Sequence, residues 1–311
     1  MTDDRNITEL STGNKVLENK PAVSVVIPHY NSARFISESL DSVLAQTFTD
    51  LELIVVNDAS LDTQELLKVI QPYRGKIVFI DLTANVGAAA ARNIGVENAR
   101  GDLIGFLDAD DIWQPTFLAK MASFLKSSDF DMVYTAAETF GEGQTKRSDL
   151  LNKNPPQGEI SRGDLIEGKC MILPSGVLIR RSTFLAMNGF DPRIELSEDF
   201  DLWMRMTFAG KRIGYLHKLL FRYRVRKDSL SGDSIRRINS SRSIWIALRD
   251  KLPFTDDEKR VINQHIVGAD ADISRTNAMI CLVQKTGPEP EKIYVRRTRL
   301  HDRSAFRLGT D

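Results

Sequence analysis

An α/β architecture, a mostly parallel sheet flanked by helices, is predicted by three features of the sequence. Short β-branched runs alternate with amphipathic stretches from Pro21 to Ala136, the order expected of an α/β fold. The runs are apolar at consecutive positions, as in Val23-Ser24-Val25-Val26-Ile27, which suits strands buried on both faces. Asp or Asn closes several of them, and an open parallel sheet binds its ligands beyond the carboxyl ends of its strands.

Each element follows from its pattern. After the first run, Phe35, Ile36, Leu40, Val43 and Leu44 recur at helical spacing. Residues 51–56 read as a strand, 61–70 as a helix and 76–80 as a strand. A helix over 88–99, a strand over 103–107, a helix over 116–125 and a strand over 132–136 complete that half. Residues 138–160 are polar and rich in Gly, Pro and Asn, which predicts a loop or hairpin insertion. Apolar patterning returns at 170–179, a helix carrying Phe200–Phe208 is predicted to begin near Ser197, and 213–226 reads as extended. Helical spacing covers 234–252 and 256–278, and 285–311 is polar and basic, with Arg296, Arg297, Arg299, Arg303 and Arg307. Residues 1–20 lack a period and predict a loose tail. The chain thus divides into the tail 1–20, a main domain 21–230 with halves 21–137 and 138–230, and a helical, basic C-terminal extension 231–311.

Composition narrows the function. With 42% hydrophobic and 27% charged residues among 311, the chain can build a sizeable core and is not wholly disordered. No apolar run reaches the ~18 residues that would span a bilayer, and the polar start MTDDRNITEL is not a secretory signal peptide. Cys170 and Cys281 match no zinc or redox spacing, and histidines 29, 217, 265 and 301 are scattered. A reduced, cytoplasmic protein is the expectation. The zero net charge hides an asymmetry, because residues 211–311 hold 22 Lys and Arg against 12 Asp and Glu. That end suits a phosphorylated ligand or an anionic membrane face, or simply a solvated basic surface. Nucleic acid is not expected, since no recognition motif accompanies the charge.

The strand ends carry the candidate chemistry. The first closes on Pro28-His29-Tyr30-Asn31, the second on Asn57-Asp58, the third on Asp81 and the fourth on Asp108-Ala109-Asp110-Asp111. No G-x-G-x-x-G, P-loop or G-x-S-x-G is present, which disfavours a dinucleotide fold, a P-loop NTPase and an α/β-hydrolase. Asp108 and Asp110 offer hard oxygen ligands that can share Mg²⁺ or Mn²⁺ and bridge it to a diphosphate. Read alone, the pair also fits a cap before the helix that Pro115 opens. Asp199 stands at a predicted helix start, where a carboxylate stays ionised as a general base must; acids are also routine there for capping reasons alone. As a strand, 221–227 would put Arg222, Arg224 and Arg226 on one face, against a diphosphate or against solvent. His217 is a further candidate to reach a metal. Ile235, Ile238, Ile244, Trp245, Leu248, Val261, Ile262, Ile266 and Val267 give the last helices an apolar face. That face suits packing on the main domain, a second subunit, or an anionic membrane.

Together these residues resemble glycosyltransferase family 2, whose enzymes have the GT-A (Rossmann-like) fold. The opening strand through Asn31, Ser42 to Phe48, Glu52 to Ser60, Gly87 through Ala91-Arg92-Asn93-Ile94-Gly95, Phe106 to Asp111, Gly189-Phe190-Asp191 and Ser197 to Trp203 carry the likeness over 21–230. It implies a nucleotide site of Pro28, Tyr30, Asn31, Asp58, Arg92, Asp108 and Asp110, with Tyr30 and Asp58 holding the base. It also implies Mn²⁺ or Mg²⁺ on Asp110 and Asp108, Asp199 as catalytic base, and Glu198 and Trp203 on the acceptor side. Asn57 and Ala59 depart from the commoner Asp and Gly and are expected to tune the turn. The implied reaction is metal-dependent, inverting transfer of a sugar from a nucleotide sugar, with UDP the leading nucleotide. The implied acceptor is a hydroxyl of a glycan or lipid-linked molecule in bacterial surface polysaccharide synthesis, in the cytoplasm or at the inner face of its membrane. Processive members carry transmembrane helices and Gln-x-x-Arg-Trp; the sequence has neither, so one sugar per acceptor is expected. A non-catalytic sugar-nucleotide-binding scaffold and a nucleotidyltransferase are the alternatives, and a homo-oligomer stays open.

Overall fold

A computed structural model of the protein describes residues 5–8, 20–142, 147–148, 158–226 and 234–286. Strands β1 (Arg5–Thr8), β2 (Val23–His29), β3 (Leu51–Asn57), β4 (Val78–Leu82) and β5 (Leu103–Phe106) build one half of the sheet. Its parallel core has the order β4-β3-β2-β5. Strand periodicity divides the apolar residues of this core between two faces. Val26, Ile54, Val56, Ile80 and Phe106 join one hydrophobic cluster, while Val25, Ile27, Leu53, Val55 and Phe79 join the other. Helices α1 (Ala33–Leu44), α2 (Thr63–Ile70) and α3 (Ala88–Glu97) cover those faces. In α1, Ile36, Leu40 and Val43 are buried at the spacing of one helix face.

The rest of the sheet is mixed. Strand β6 (Ile112–Trp113) is followed by α4 (Phe117–Lys126), β7 (Met132–Gly141), β8 (Arg147–Ser148), β9 (Gly158–Ile160) and α5 (Arg162–Ile166). Then come β10 (Val177–Arg180), α6 (Arg181–Ala186), α7 (Glu198–Phe208) and β11 (Ile213–Val225). Strand β10 lies antiparallel between β5 and β7, β7 runs parallel to β11, and β6 pairs antiparallel with β11. The polar stretch after 138 begins as a hairpin, with β8 returning against β7, and β9 pairs with β11. Residues 143–146 and 149–157 lie outside the described residues.

One expectation is corrected at the N-terminus. Arg5–Thr8, expected within a loose tail, is strand β1, antiparallel to β4 with Ile7 opposite Ile80. Its physical reason is the edge of β4, whose backbone groups need a partner on that side. Residues 1–4 and 9–19 lie outside the described residues, as does the basic segment from 287 onward.

Helices α8 (Ser234–Lys251) and α9 (Asp256–Thr286) pack together and on α7. Ile244, Trp245, Leu248, Ile262 and Ile266 are buried there. Phe200 meets Trp245 edge-on at 4.8 Å, and Phe208 meets Phe254 at 4.9 Å. Much of the apolar face of this helix pair is therefore turned to the rest of the chain, while Val267 is exposed. Among the described residues, no helix is long and apolar enough to cross a membrane.

Two contacts fix α3 in the fold. Asn93 donates from Nδ2 to the Phe190 carbonyl at 2.8 Å and accepts from the Phe190 N–H at 3.0 Å. Gly95 lies against β2, where an added Cβ would run into the Val26 side-chain methyl. Gly95→Ala would gain about 1 kcal/mol of helix propensity but incur overpacking of roughly 1–3 kcal/mol. We expect a net loss of stability in urea denaturation; a stabilised variant would show that α3 can move off the sheet.

Candidate active site

The carboxyl ends of the parallel strands open into a cavity of about 580 Å³. The loop after β2 supplies Pro28, Tyr30 and Asn31, the loop after β3 supplies Asp58, and α3 supplies Arg92. Asp108 and Asp110 follow β5, and Glu198 and Asp199 open α7. The nucleotide, metal and base candidates Pro28, Tyr30, Asn31, Asp58, Arg92, Asp108, Asp110 and Asp199 thus line one cavity together with Glu198, whereas Trp203 and His217 do not. Arg224 and Arg226 of the expected basic face also line it; Arg222 instead faces Glu138 and stacks on Phe140.

Local hydrogen bonds shape the loops after β2 and β3. Asn31 adopts φ +50° and accepts the Leu61 N–H at 2.9 Å, while its own N–H donates to Ser60 Oγ. Tyr30 is about half exposed, at 47%, so its ring is available as a platform. Asn57 donates to Asp81 at 2.7 Å and to Thr63 Oγ1 at 2.9 Å. A carboxylate at 57 would lose both donors and face Asp81 as a like charge, which gives a physical reason for Asn here. Ala59 takes φ +49° at the turn. His29 is fully buried beside Asn57 and Ser60, and burial lowers its pKa, favouring the neutral ring. Asp58 accepts the Val86 N–H at 2.7 Å and the Gly87 N–H at 2.9 Å, fastening the loop to the start of α3. Burial pushes its pKa up while those two bonds pull it down, and a carboxylate retains acceptor capacity for a base N–H.

Arg92 stands at the centre. Its Nη2 donates to Asp108 and its Nη1 to Glu198, both at 2.6 Å, and the guanidinium is buried. Burial opposes its charge, but Asp108 and Glu198 outweigh it and raise its pKa above the ordinary value. One side chain therefore ties the end of β5 to the start of α7. Glu198 gives one carboxylate oxygen to this bond and still lines the cavity.

The two Asp residues after β5 have different neighbours. Asp108 is oriented by Arg92, and its N–H donates to Ser175 Oγ at 3.0 Å. Asp110 pairs with Arg226, Nε to Oδ2 at 3.1 Å. Burial and then Asp108 push the Asp110 carboxyl up to about 6, against the pull of Arg226. Asp111 is fully buried and accepts the Arg224 N–H at 2.8 Å, tying the loop to β11. Burial, Asp110 and Asp108 raise its pKa well above normal. The described residues contain no group of three His, Cys, Asp or Glu placed to hold a metal. The Asp108–Asp110 pair nevertheless fits Mg²⁺ or Mn²⁺, which are commonly bound by one or two carboxylates plus substrate phosphates and water. A dication would relieve the repulsion between them. His217 is corrected: it is exposed, its ring lies tilted against Tyr215 at 4.1 Å, and it does not line the cavity.

Asp199 lies at the mouth of a second cavity. Ser197 adopts φ +72° before α7, and Asp199 accepts the Phe200 N–H at 2.7 Å. Burial and then Glu198 push the Asp199 carboxyl up to about 7, while the Phe200 N–H and Arg92 pull it down. Leu173, Ser197 and Asp199 line both the first cavity and a neighbouring one of about 680 Å³. Phe200, Trp245, Gln264 and His265 help to line this second space, with Trp245 and His265 stacked at 5.0 Å. Trp203 is 1% exposed and donates from Nε1 to the Ile172 carbonyl at 3.1 Å. It is a buried part of the wall of the second cavity.

Comparison with known proteins follows the same lines. The family model described as Glycosyl transferase family 2 matches residues 24–185, and the chain belongs to that family. It is a glycosyltransferase, which displaces the scaffold and nucleotidyltransferase alternatives. It is 32% identical over 248 residues to the putative glycosyltransferase EpsE of Bacillus subtilis, covering 76% of this chain and 85% of that protein. It is 26% identical over 232 residues to the putative teichuronic acid biosynthesis glycosyltransferase TuaG of the same organism, covering 74% and 88%. The fold matches the S. aureus TarS 1-349 structure in complex with UDP-GlcNAc, with a TM-score of 0.64, 20% identity and coverage of 86% and 76%. It also matches the mannosyltransferase PcManGT of Pyrobaculum calidifontis in complex with GDP-Man and Mn²⁺, with a TM-score of 0.62, 18% identity and coverage of 88% and 78%. The architecture is the GT-A fold.

The Arg92 bridge yields a stability prediction. Arg92→Met keeps comparable volume but leaves two carboxylates facing each other without their cation. We expect a loss of about 3–5 kcal/mol in urea denaturation at neutral pH. A loss below ~0.5 kcal/mol, as for an exposed pair, would show that the bridge does not hold the two halves.

Proposed function

We propose that this glycosyltransferase moves one sugar from a UDP-sugar donor to a hydroxyl of a glycan or lipid-linked acceptor, with inversion, in surface polysaccharide synthesis. The observation that carries the reading is the single cavity that gathers Tyr30, Asp58, Arg92, Asp108, Asp110 and Asp199. The TuaG likeness supports the polysaccharide setting, and the TarS likeness supports a UDP-sugar.

In this reading Tyr30 and Asp58 bind the nucleotide base, the first by its ring and the second as acceptor. Pro28 and Asn31 shape that end. Arg92 orients Asp108 near the ribose. Asp108 and Asp110 would hold Mn²⁺ or Mg²⁺, and the ion would supply charge that offsets the charge developing on the leaving diphosphate; the Mn²⁺ in the PcManGT structure supports a divalent cation. The acceptor enters from the second cavity, which meets the first at Asp199. Its hydroxyl oxygen attacks the anomeric carbon and gives its proton to Asp199. The bond from that carbon to the diphosphate oxygen breaks, and the electron pair leaves with the nucleoside diphosphate. One bond forms on the face opposite the one that breaks, so the configuration inverts.

A base must be deprotonated to act, and burial and Glu198 push the Asp199 carboxyl up to about 7. We therefore expect kcat/KM to fall tenfold per pH unit below that value and to level off above it. Asp199→Asn should lose a factor of roughly 10²–10⁴ in turnover, flatten that acidic limb and keep UDP binding. Turnover near wild type in this variant would remove Asp199 from the reaction.

A further inference from the structure

Three arginine side chains reach the segment after β5, two of them at its carboxylates, and they are held in different ways. Arg92 is fixed from two sides by Asp108 and Glu198. Arg224 donates to the Asp110 carbonyl at 2.7 Å and to Glu38 at 2.9 Å, and its guanidinium lies 4.6 Å from the Phe35 ring and 4.4 Å from the Phe140 ring. Arg226, just beyond β11, meets the Asp110 carboxylate itself at 3.1 Å, with Phe35 behind it at 5.1 Å. Arg226 also lines the cavity. It therefore stands on the carboxylate that a metal would use, beside the space that a diphosphate would fill.

We propose that Arg226 is an exchangeable counter-ion, which neutralises Asp110 in the metal-free protein, yields that carboxylate to a divalent cation and then pairs with the donor's diphosphate. The proposal rests on the reading of Asp108 and Asp110 as metal ligands. A guanidinium and a dication on one carboxylate repel each other strongly at such short range. The cation must therefore displace Arg226 or bind weakly. A diphosphate changes that balance, because its oxygens accept the planar guanidinium fork about as well as a carboxylate does. Nucleotide binding then gives Arg226 a new partner and frees Asp110. Metal and nucleotide become thermodynamically linked, each tightening the other.

The linkage is measured by titrating Mn²⁺ into the protein and following the EPR signal of free Mn²⁺, with and without UDP. Wild type, R226Q, R226K and D110N are compared, with circular dichroism melts to confirm folding. Without nucleotide, R226Q should bind Mn²⁺ about tenfold tighter than wild type, since a nearby positive charge is gone. R226K keeps the charge and should bind Mn²⁺ as wild type does. UDP should tighten Mn²⁺ binding clearly in wild type and much less in R226Q. Equal or weaker Mn²⁺ binding by R226Q overturns the proposal. If R226Q does not fold, R226K decides: its UDP affinity at saturating Mn²⁺ should fall several-fold because ammonium lacks the fork, and unchanged affinity overturns the proposal. D110N separates the two readings. Loss of Mn²⁺ by D110N with R226Q like wild type leaves the metal site standing and removes the counter-ion role. Unchanged Mn²⁺ binding by D110N removes Asp110 as a ligand and the proposal with it.

Discussion

Arg92 is the interaction on which the site depends. It is a buried cation between Asp108 at the end of β5 and Glu198 at the start of α7. Those two segments belong to different halves of the chain and are 90 residues apart. Burying a guanidinium is costly unless its partners are close and well oriented, so the bridge fixes both segments at one geometry. Its neighbour Asn93 repeats the tie with the Phe190 backbone. The consecutive pair Arg92-Asn93 thus ties the loop after β5 to the segment from Phe190 to the helix that carries Asp199.

A cavity lined with carboxylates must manage its own repulsion, and each acid is answered differently. Asp58 receives two backbone N–H groups, Asp108 a fixed arginine, Asp110 Arg226 and Asp111 the Arg224 N–H. Asp199 has the Phe200 N–H and a more distant pull from Arg92, set against burial and Glu198. That environment leaves Asp199 poised to exchange a proton near neutral pH, as a general base requires. Asp110 is also raised, to about 6, by burial and Asp108, against the pull of Arg226. Carboxylates of the same type thus reach distinct states through their local partners.

Much of this was legible in sequence. The buried strands announced themselves through consecutive apolar residues such as Val23–Ile27, and Asp58, Asp108 and Asp110 followed from their positions after strands. The motif order placed Asp199. What the sequence hid was long-range pairing. Ile112–Trp113 is too short to show a strand period, and its pairing with Phe221 and Arg222 needs a partner over a hundred residues away. Strand β1 exists through the edge of β4 rather than through its own composition. Arg92 could be read as a nucleotide ligand or as an ion-pair partner; it lines the cavity and is ion-paired at once. Helical geometry buries Trp203 at 1% exposure while leaving it in the wall of the second cavity. His217 was a candidate by type alone, and the strand direction carries it away from the carboxylates.

The central claim is that the cavity at the strand ends binds a nucleotide through a divalent cation. The melting temperature measured with UDP, GDP, dTDP or CMP, each with Mn²⁺ or with chelator, tests it most directly, because a ligand of the folded state raises that temperature by mass action. The account predicts a rise with UDP and Mn²⁺ that chelator abolishes. No rise with any nucleotide in the presence of Mn²⁺, or a rise indifferent to chelator, would contradict it.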